Sequence, residues 1–410
     1  MSSSPAVARR PRSAPETVYD KLAWLGSIAE TRLTGTAEER LVQDEIAARV
    51  ASLGYSVELP GFRYPRHIYG SVALHFGLAL TFAAVGASVP YAAGPVAFAI
   101  LFVGWSFVSE IAFRRPLLRR LWPTVASQNL VATLPATRAL RRRIVLLAHV
   151  DSAFTGWLFH PPILRLVAGP PPRVLAFLQK QLRLPTLSAI ALAIYFAVGA
   201  FVALPWWPVA ILAIPAVIVF VLNAQIVLND RPVSGAADNL TGCAAMLELA
   251  EAWADRPVDD VEVVFAWTGC EEAGAGGATH LASSMKAEWD PAITEVLVLD
   301  TLSNGELFSL EEGELFRIPQ PTSLLETLDR AASDLGVATP PSYIIPAGAT
   351  DAAPFLAEGY RALAITCIDP ALHAPRHYHH PTDTVDNVDP EQLERSTELA
   401  TAWLYATASA

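Results

Sequence analysis

At 410 residues the chain is long enough for two or more domains and ample for a sizeable core. It is 52% hydrophobic and only 17% charged, with a mean hydropathy of +0.35, a balance that points toward membrane segments. A net charge of -11, without a clustered basic face carrying interleaved aromatics, excludes a nucleic-acid partner.

Residues 1–15, MSSSPAVARRPRSAP, are rich in Ser, Pro and Arg and read as a disordered N-terminus. No apolar stretch follows their arginines, so no cleavable secretory signal is expected. In LVQDEIAARVASLGYSVEL, residues Leu41, Ile46, Val50 and Leu53 recur near a helical period, Gly54 stops the helix, and an alternating strand follows. From Ser71 to Phe113 the chain is almost uncharged. Two apolar stretches flank the breaker PYAAGP, each close to the ~20 residues that span a bilayer. His75 and Glu110 are the titratable groups there. A second pair runs from Thr186 to Leu204 and from Val209 to about Leu228, divided by PWWP. Its last stretch is the weaker, because it holds Pro215, Asn223 and Gln225, while Trp206 and Trp207 suit an interfacial belt. Four transmembrane helices in two hairpins, 71–113 and 186–228, are expected in preference to two apolar hairpins buried in a soluble core.

Basic residues set the topology. Arg63 and Arg66 precede the first hairpin and Arg114, Arg115, Arg119 and Arg120 follow it; Arg165, Arg173, Lys180 and Arg183 precede the second and Arg231 follows. The tips carry none. Both hairpins therefore enter a cell membrane from the same, cytoplasmic side, and the remainder of the chain stays there.

That remainder alternates strands and helices. SQNLVATLP, RRRIVLLAHVDS, VEVVFAWTG, TEVLVLD and ALAITCID read as strands, and CAAMLELAEAWAD and PTSLLETLDRAASDLG as helices. Continuous apolar strands separated by helices predict an α/β fold, a mostly parallel mixed sheet covered on both faces. Residues 16–70, 114–185 and 229–410 would form one catalytic domain into which the hairpins are inserted. Cys243, Cys270 and Cys367 lie far apart in apolar surroundings and read as reduced, packed thiols, Cys270 included although it adjoins Glu271.

Six residues stand at strand ends or glycine turns, where an α/β domain exposes its chemistry: His149, Asp238, Glu271, Glu272, Asp300 and His379. Each fragment alone is weak; the joint pattern carries the reading. Zinc takes imidazole nitrogen and carboxylate oxygen, and two adjacent ions need a bridging carboxylate, terminal ligands and a base.

The stretches AHVDS, GAADNLTG, the EExGxxG of Glu271 to Gly277, Leu299–Asp300 and YHHPTDT occur in the order that resembles the di-zinc aminopeptidase family, which includes bacterial leucyl aminopeptidase, aminopeptidase Y and the glutamate carboxypeptidases. RLTGTAEERLVQDEIAARVASLGYSVE resembles the start of that domain; the hairpins have no counterpart. The resemblance implies the zinc-exopeptidase fold and two zinc ions per chain. Asp238 would bridge them, with Asn239 after it in a cis peptide. His149 and Glu272 would complete one site, and Asp300 and His379 the other. Glu271 would be the general base. Asp151 would accept the second imidazole N–H of His149, and Tyr378 would assist at the oxyanion or merely pack. His380 competes with His379 for the ligand role, and spacing to Pro381 and Asp383 favours His379. Ala352 stands where relatives often carry His, while His373 and His377 read as loop residues.

The expected activity is that of a membrane-embedded exopeptidase, an aminopeptidase first, acting on a peptide substrate near the membrane surface. A glutaminyl-cyclase-like acyltransferase with one zinc and a non-catalytic member of the fold are the alternatives. Membrane lipids are expected partners; substrate preference and oligomeric state stay open.

Overall fold

The computed structural model describes residues 16–346 and 348–410, so the expected disorder of residues 1–15 lies outside the described part. Among the described residues ten strands are formed: β1 (Ser56–Glu58), β2 (Gly61–Pro65), β3 (Thr124–Gln128), β4 (Leu130–Leu134), β5 (Arg142–His149), β6 (Val261–Thr268), β7 (Thr294–Leu299), β8 (Glu306–Glu311), β9 (Ser342–Ile344) and β10 (Arg361–Ile368). Eight of them make one sheet in the order β1-β4-β6-β5-β7-β10-β8-β9; β2 and β3 pair separately. The centre, β6-β5-β7-β10, is parallel; β4 is antiparallel to both β6 and β1, and β8 is antiparallel to β10 and parallel to β9. The mixed α/β sheet expected from the apolar strands is therefore present.

Strand β5 shows why its sequence is apolar throughout. Ile144, Leu146 and Ala148 point into one core and Val145 and Leu147 into the other, as a two-residue period demands. Helices α1 (Val18–Ile28), α2 (Ala37–Ser52), α9 (Thr241–Asp255), α11 (Thr322–Leu335) and α13 (Pro390–Ser409) cover the first face, and α10 (Gly276–Ser284) and α12 (Ala352–Ala357) the second. Removing a buried leucine side chain from such a layer costs about 2–5 kcal/mol. Cys243, Cys270 and Cys367 are buried free thiols.

The two insertions form a helical layer beside this domain. Helices α3 (Ile68–Ser88) and α4 (Ala93–Phe113) have 21 residues each, about 31 Å of helix, which matches the ~30 Å hydrocarbon core. Short α5 (Pro161–Ala168) leads toward the second insertion, made of α6 (Arg183–Gly199), α7 (Trp207–Leu212) and α8 (Ile214–Asn229). Here the expectation of four transmembrane helices is corrected. Among the described residues two helices are long and apolar enough to cross a membrane, whereas α6 and α8 have 17 and 16 residues. The physical cause is proline: Pro208 and Pro215 sit in the first turns of α7 and α8, so the descending stretch cannot form one continuous helix. The helices also begin at Ile68 and Arg183, ahead of the expected Ser71 and Thr186.

Both hairpin tips lie at the same end. A β-carbon placed on Gly94 or Gly199 would come within 3.7 Å of the other hairpin, at Ala200 and Ala93 respectively. Ala83, Val96, Ile100, Leu192 and Phe196 are buried between the helices, while Phe98 (74% exposed) and Phe201 (90% exposed) face outward.

Candidate metal centre

The six acidic and imidazole residues picked out above come together at the carboxyl ends of the parallel strands. His149 is the last residue of β5, Asp300 follows β7, and Glu271 and Glu272 lie in the turn after β6. Asp238 sits in a distorted helical turn just before α9, and His379 in the loop between β10 and α13. The Asp238–Asn239 peptide is cis, and Asn239 ties its turn to β7 by donating to the Leu299 carbonyl at 2.8 Å.

Two triads share Asp238. The ligand atoms of His149, Asp238 and Asp300 lie within 4.8 Å of one another, and so do those of Asp238, Glu272 and His379. One oxygen of Asp238 is 3.2 Å from His149 Nε2 and the other 3.4 Å from His379 Nε2, so the carboxylate faces the two imidazoles with different oxygens. Glu272 Oε2 is 3.2 Å from His379 Nε2. This grouping corrects the pairing expected from the resemblance: Asp300 stands with His149, and Glu272 with His379. His149, Glu271 and Glu272 form a third group, which leaves Glu271 beside the shared triads.

Asp151 also takes a different position from the one expected. His149 Nδ1 bonds the Asp151 main-chain carbonyl at 3.0 Å, while the Asp151 carboxylate stands 3.7 Å away. That carboxylate instead accepts the main-chain N–H groups of Glu271 (2.9 Å) and Glu272 (3.1 Å) and the Thr34 hydroxyl (2.8 Å). It shapes the Glu-Glu turn rather than the imidazole. Asp383 does the same for the other wall, accepting from Ala237 N and Asp238 N at 2.7 and 3.2 Å. Buried Arg32 donates to the carbonyls of Val150, Ser234 and Gly235, joining the β5 end to the Asp238 turn.

The electrostatics are those of crowded acids. Burial, reinforced by Asp238, pushes the Asp300 carboxyl up to about 7. Burial first, then neighbouring acids, holds Glu271 and Glu272 well above the usual carboxylate range. Asp238 is held below that range, because the hydrogen bonds from His149 and His379 outweigh its burial. His149 shows the converse: burial favours its neutral form, but Asp238, Glu271 and Asp300 drive its affinity for a proton well up. Four acids against two imidazoles make a strongly cation-seeking cavity. The donors are the nitrogen and oxygen atoms that zinc accepts, and Glu272 Oε1 is buried without a partner. The residues present fit a pair of divalent ions.

His380 turns away, its Nδ1 2.9 Å from the Thr382 hydroxyl and its ring edge-on to His160. His377 likewise meets Thr382, and the His373 carbonyl accepts from Tyr343, consistent with a loop role for both. None of the metal-capable groups among the described residues contains a cysteine. Tyr378 lies against the His379 ring at 4.0 Å between centroids, tilted by 40°, and meets Phe159 edge-on. Asp351, before the Ala352 that departs from the family pattern, accepts the Thr268 hydroxyl at 2.5 Å. One contact was not foreseen from the sequence: the hydroxyl of Tyr69, in the first turn of α3, lies 3.0 Å from His379 Nδ1. With the two 310 positions apart in sequence, no local pattern could have signalled it.

Residues 221–404 match the profile of peptidase family M28. No curated protein shows significant sequence similarity to the chain. Among solved structures, a zinc aminopeptidase from Bacillus subtilis is similar at a TM-score of 0.58 and 16% identity, covering 96% of this chain and 95% of that one. An aminopeptidase from Aneurinibacillus sp. strain AM-1 is similar at 0.55 and 16% identity, covering 96% and 94%. A glutaminyl cyclase from Porphyromonas gingivalis is similar at 0.55 and 13% identity, covering 96% and 98%. At these identities the structures speak for the fold; the family match speaks for the lineage. The match over residues 221–404, on a fold shared with zinc aminopeptidases, gives that part of the chain the pattern of peptidase family M28 and supports a zinc metallopeptidase.

Proposed function

We propose that the protein is a membrane-embedded di-zinc exopeptidase that acts as an aminopeptidase. The observation that carries this reading is the pair of donor triads sharing Asp238, with Glu271 alongside. Asp238 would bridge two metal positions, His149 and Asp300 completing one and Glu272 and His379 the other. Bound zinc supplies Lewis acidity at the scissile carbonyl and charge that stabilises the developing oxyanion. Glu271 takes the proton of the attacking water and delivers it to the leaving amine. Its main-chain N–H is held by Asp151, so the carboxyl reaches the reacting atoms from a fixed turn. Burial among acids raises its affinity for a proton, which suits a group that must hold one between two steps. Tyr378, whose ring lies against that of His379, would support the oxyanion through its hydroxyl.

Glu271→Ala tests the assignment. Peptide hydrolysis should fall by at least ~100-fold, the lower range for losing a general base, with zinc content unchanged. Retained hydrolysis contradicts it. The likeness to glutaminyl cyclases supports a second reading, an acyltransferase with one zinc, which pyroglutamate formation from amino-terminal glutamine would select.

The membrane part of the proposal rests on α3 and α4, with the shorter α6–α8 pair dipping alongside them. The uncharged tips and the arginines at the roots favour a cytoplasmic catalytic domain. The segment joining His149 to the second insertion carries outward apolar side chains, Leu166 and Val174 each 83% exposed. A membrane-associated peptide is the substrate class this placement favours; faster turnover of a lipid-anchored peptide than of its soluble form would bear that out, and equal turnover would not.

A further inference from the structure

The first hairpin and the turn that leaves it reach the metal centre at two points, at His379 and directly beside Glu272, two residues of the same triad. Tyr69 is 8% exposed and its hydroxyl meets His379 Nδ1 at 3.0 Å. His379 Nε2 faces Asp238 and Glu272, and with a metal held there Nδ1 would carry the hydrogen and Tyr69 Oη would accept it. At the other end of the hairpin, just past α4, buried Arg119 donates to the Ala273 carbonyl, the residue directly after Glu272. Arg119 lies over the Tyr64 ring at 4.8 Å and is paired at 3.4 Å with Glu110 of α4, which accepts from Ser71 of α3 at 2.7 Å. Both helices thus brace the arginine.

The other triad has no such dependence. His149 Nδ1 bonds the Asp151 carbonyl, and Asp300 accepts from Thr301, all within the α/β domain. We infer that the α3–α4 hairpin is the supporting shell of one metal position, that of Glu272 and His379, with Tyr69 and Arg119 as positioning residues. This rests on the two-metal reading above. It links the membrane layer to the chemistry: seating of the hairpin sets the occupancy of one ion and leaves the other in place.

Equilibrium zinc titration of the full chain in detergent, against a chelator of known affinity, tests the inference. Wild-type protein should bind two zinc ions. Tyr69→Phe keeps the ring against Phe159 and removes only the acceptor; it should weaken one equivalent by about 10–100-fold, the usual effect of losing such a partner, and leave the other unchanged. Tyr378→Phe, which keeps the tilted ring contact with the same imidazole, should shift neither. Arg119→Lys should weaken the same single equivalent. Unchanged affinities in Tyr69→Phe, or equal weakening of both equivalents, would overturn the inference. Saturation of wild-type protein at one zinc would overturn the two-metal reading itself, and the inference with it.

Discussion

His379 and His380 adjoin in sequence, yet only His379 faces the acids, because its backbone adopts a left-handed conformation (φ 48°) that swings the two imidazoles apart. His379 Nε2 lies within 3.4 Å of Asp238 and Glu272, whereas His380 is engaged by Thr382. His379→Ala should therefore cost one zinc equivalent and lower hydrolysis by more than ~100-fold, beyond what losing a supporting partner alone does. His380→Ala should leave both at the wild-type level, as metal analysis and initial rates will report. At this scale the sequence was informative about residue types and silent about partners. His149, Asp238, Glu272, Asp300 and His379 could be picked out because strand ends and glycine turns mark where an α/β sheet exposes polar groups. Which of them stand together depends on strand order. β5 lies between β6 and β7, which brings Asp300 to His149, and no spacing along the chain encodes that. Asp151 was legible as an important acid, but its use depends on whether its carboxylate or its carbonyl faces the imidazole, and only the turn geometry decides that.

Elements carried their own signals unevenly. The central strands were readable because burial on both faces demands unbroken apolar runs, and β5, β6, β7 and β10 have them. Helix lengths in the second insertion were not, since composition says that a stretch is apolar and not where proline ends its hydrogen bonding. Pro215 divides what reads as one stretch into α7 and α8. Gln225 is a further instance. It looks like a flaw in a membrane helix, yet its Oε1 accepts Trp157 N–H at 2.8 Å and anchors α8 to the loop after β5. For the first hairpin the reading is directly testable. Phe102 lies near the middle of α4 and faces outward. Phe102→Asp should disfavour membrane insertion by about 3 kcal/mol, the scale for a mid-helix acid, visible as loss of the protein from carbonate-washed membranes. Unaltered partitioning would mean that this face does not meet lipid.

Across the whole molecule, the chain assembles acids in one buried cavity of a domain that is already net negative. Without metal, Asp300 and Asp383 are pushed up to about 7 and Asp351 to about 6, with burial the leading cause in each. In the unfolded chain these groups lose their protons near 4, so between about pH 4 and 7 the folded state holds more protons than the unfolded one. Stability of the metal-stripped protein should therefore fall as pH rises through that window. His149, raised above its ordinary value, acts in the same direction above about 6.5. Asp238, held low, acts oppositely, but only below about 4, outside the window. Zinc replaces those protons, so the stabilisation it confers should grow with pH over the same range. Thermal melts of stripped and zinc-loaded protein at several pH values will check both signs; a stripped protein that gains stability from pH 4 to 7 would contradict them.

The most direct test of the central claim is the zinc content of detergent-purified protein, taken together with its cleavage profile on a peptide library. Two zinc ions per chain, with residues removed one at a time from the amino terminus, is the predicted result. One zinc with pyroglutamate as product, or a zinc-loaded protein that cleaves no peptide, would contradict it.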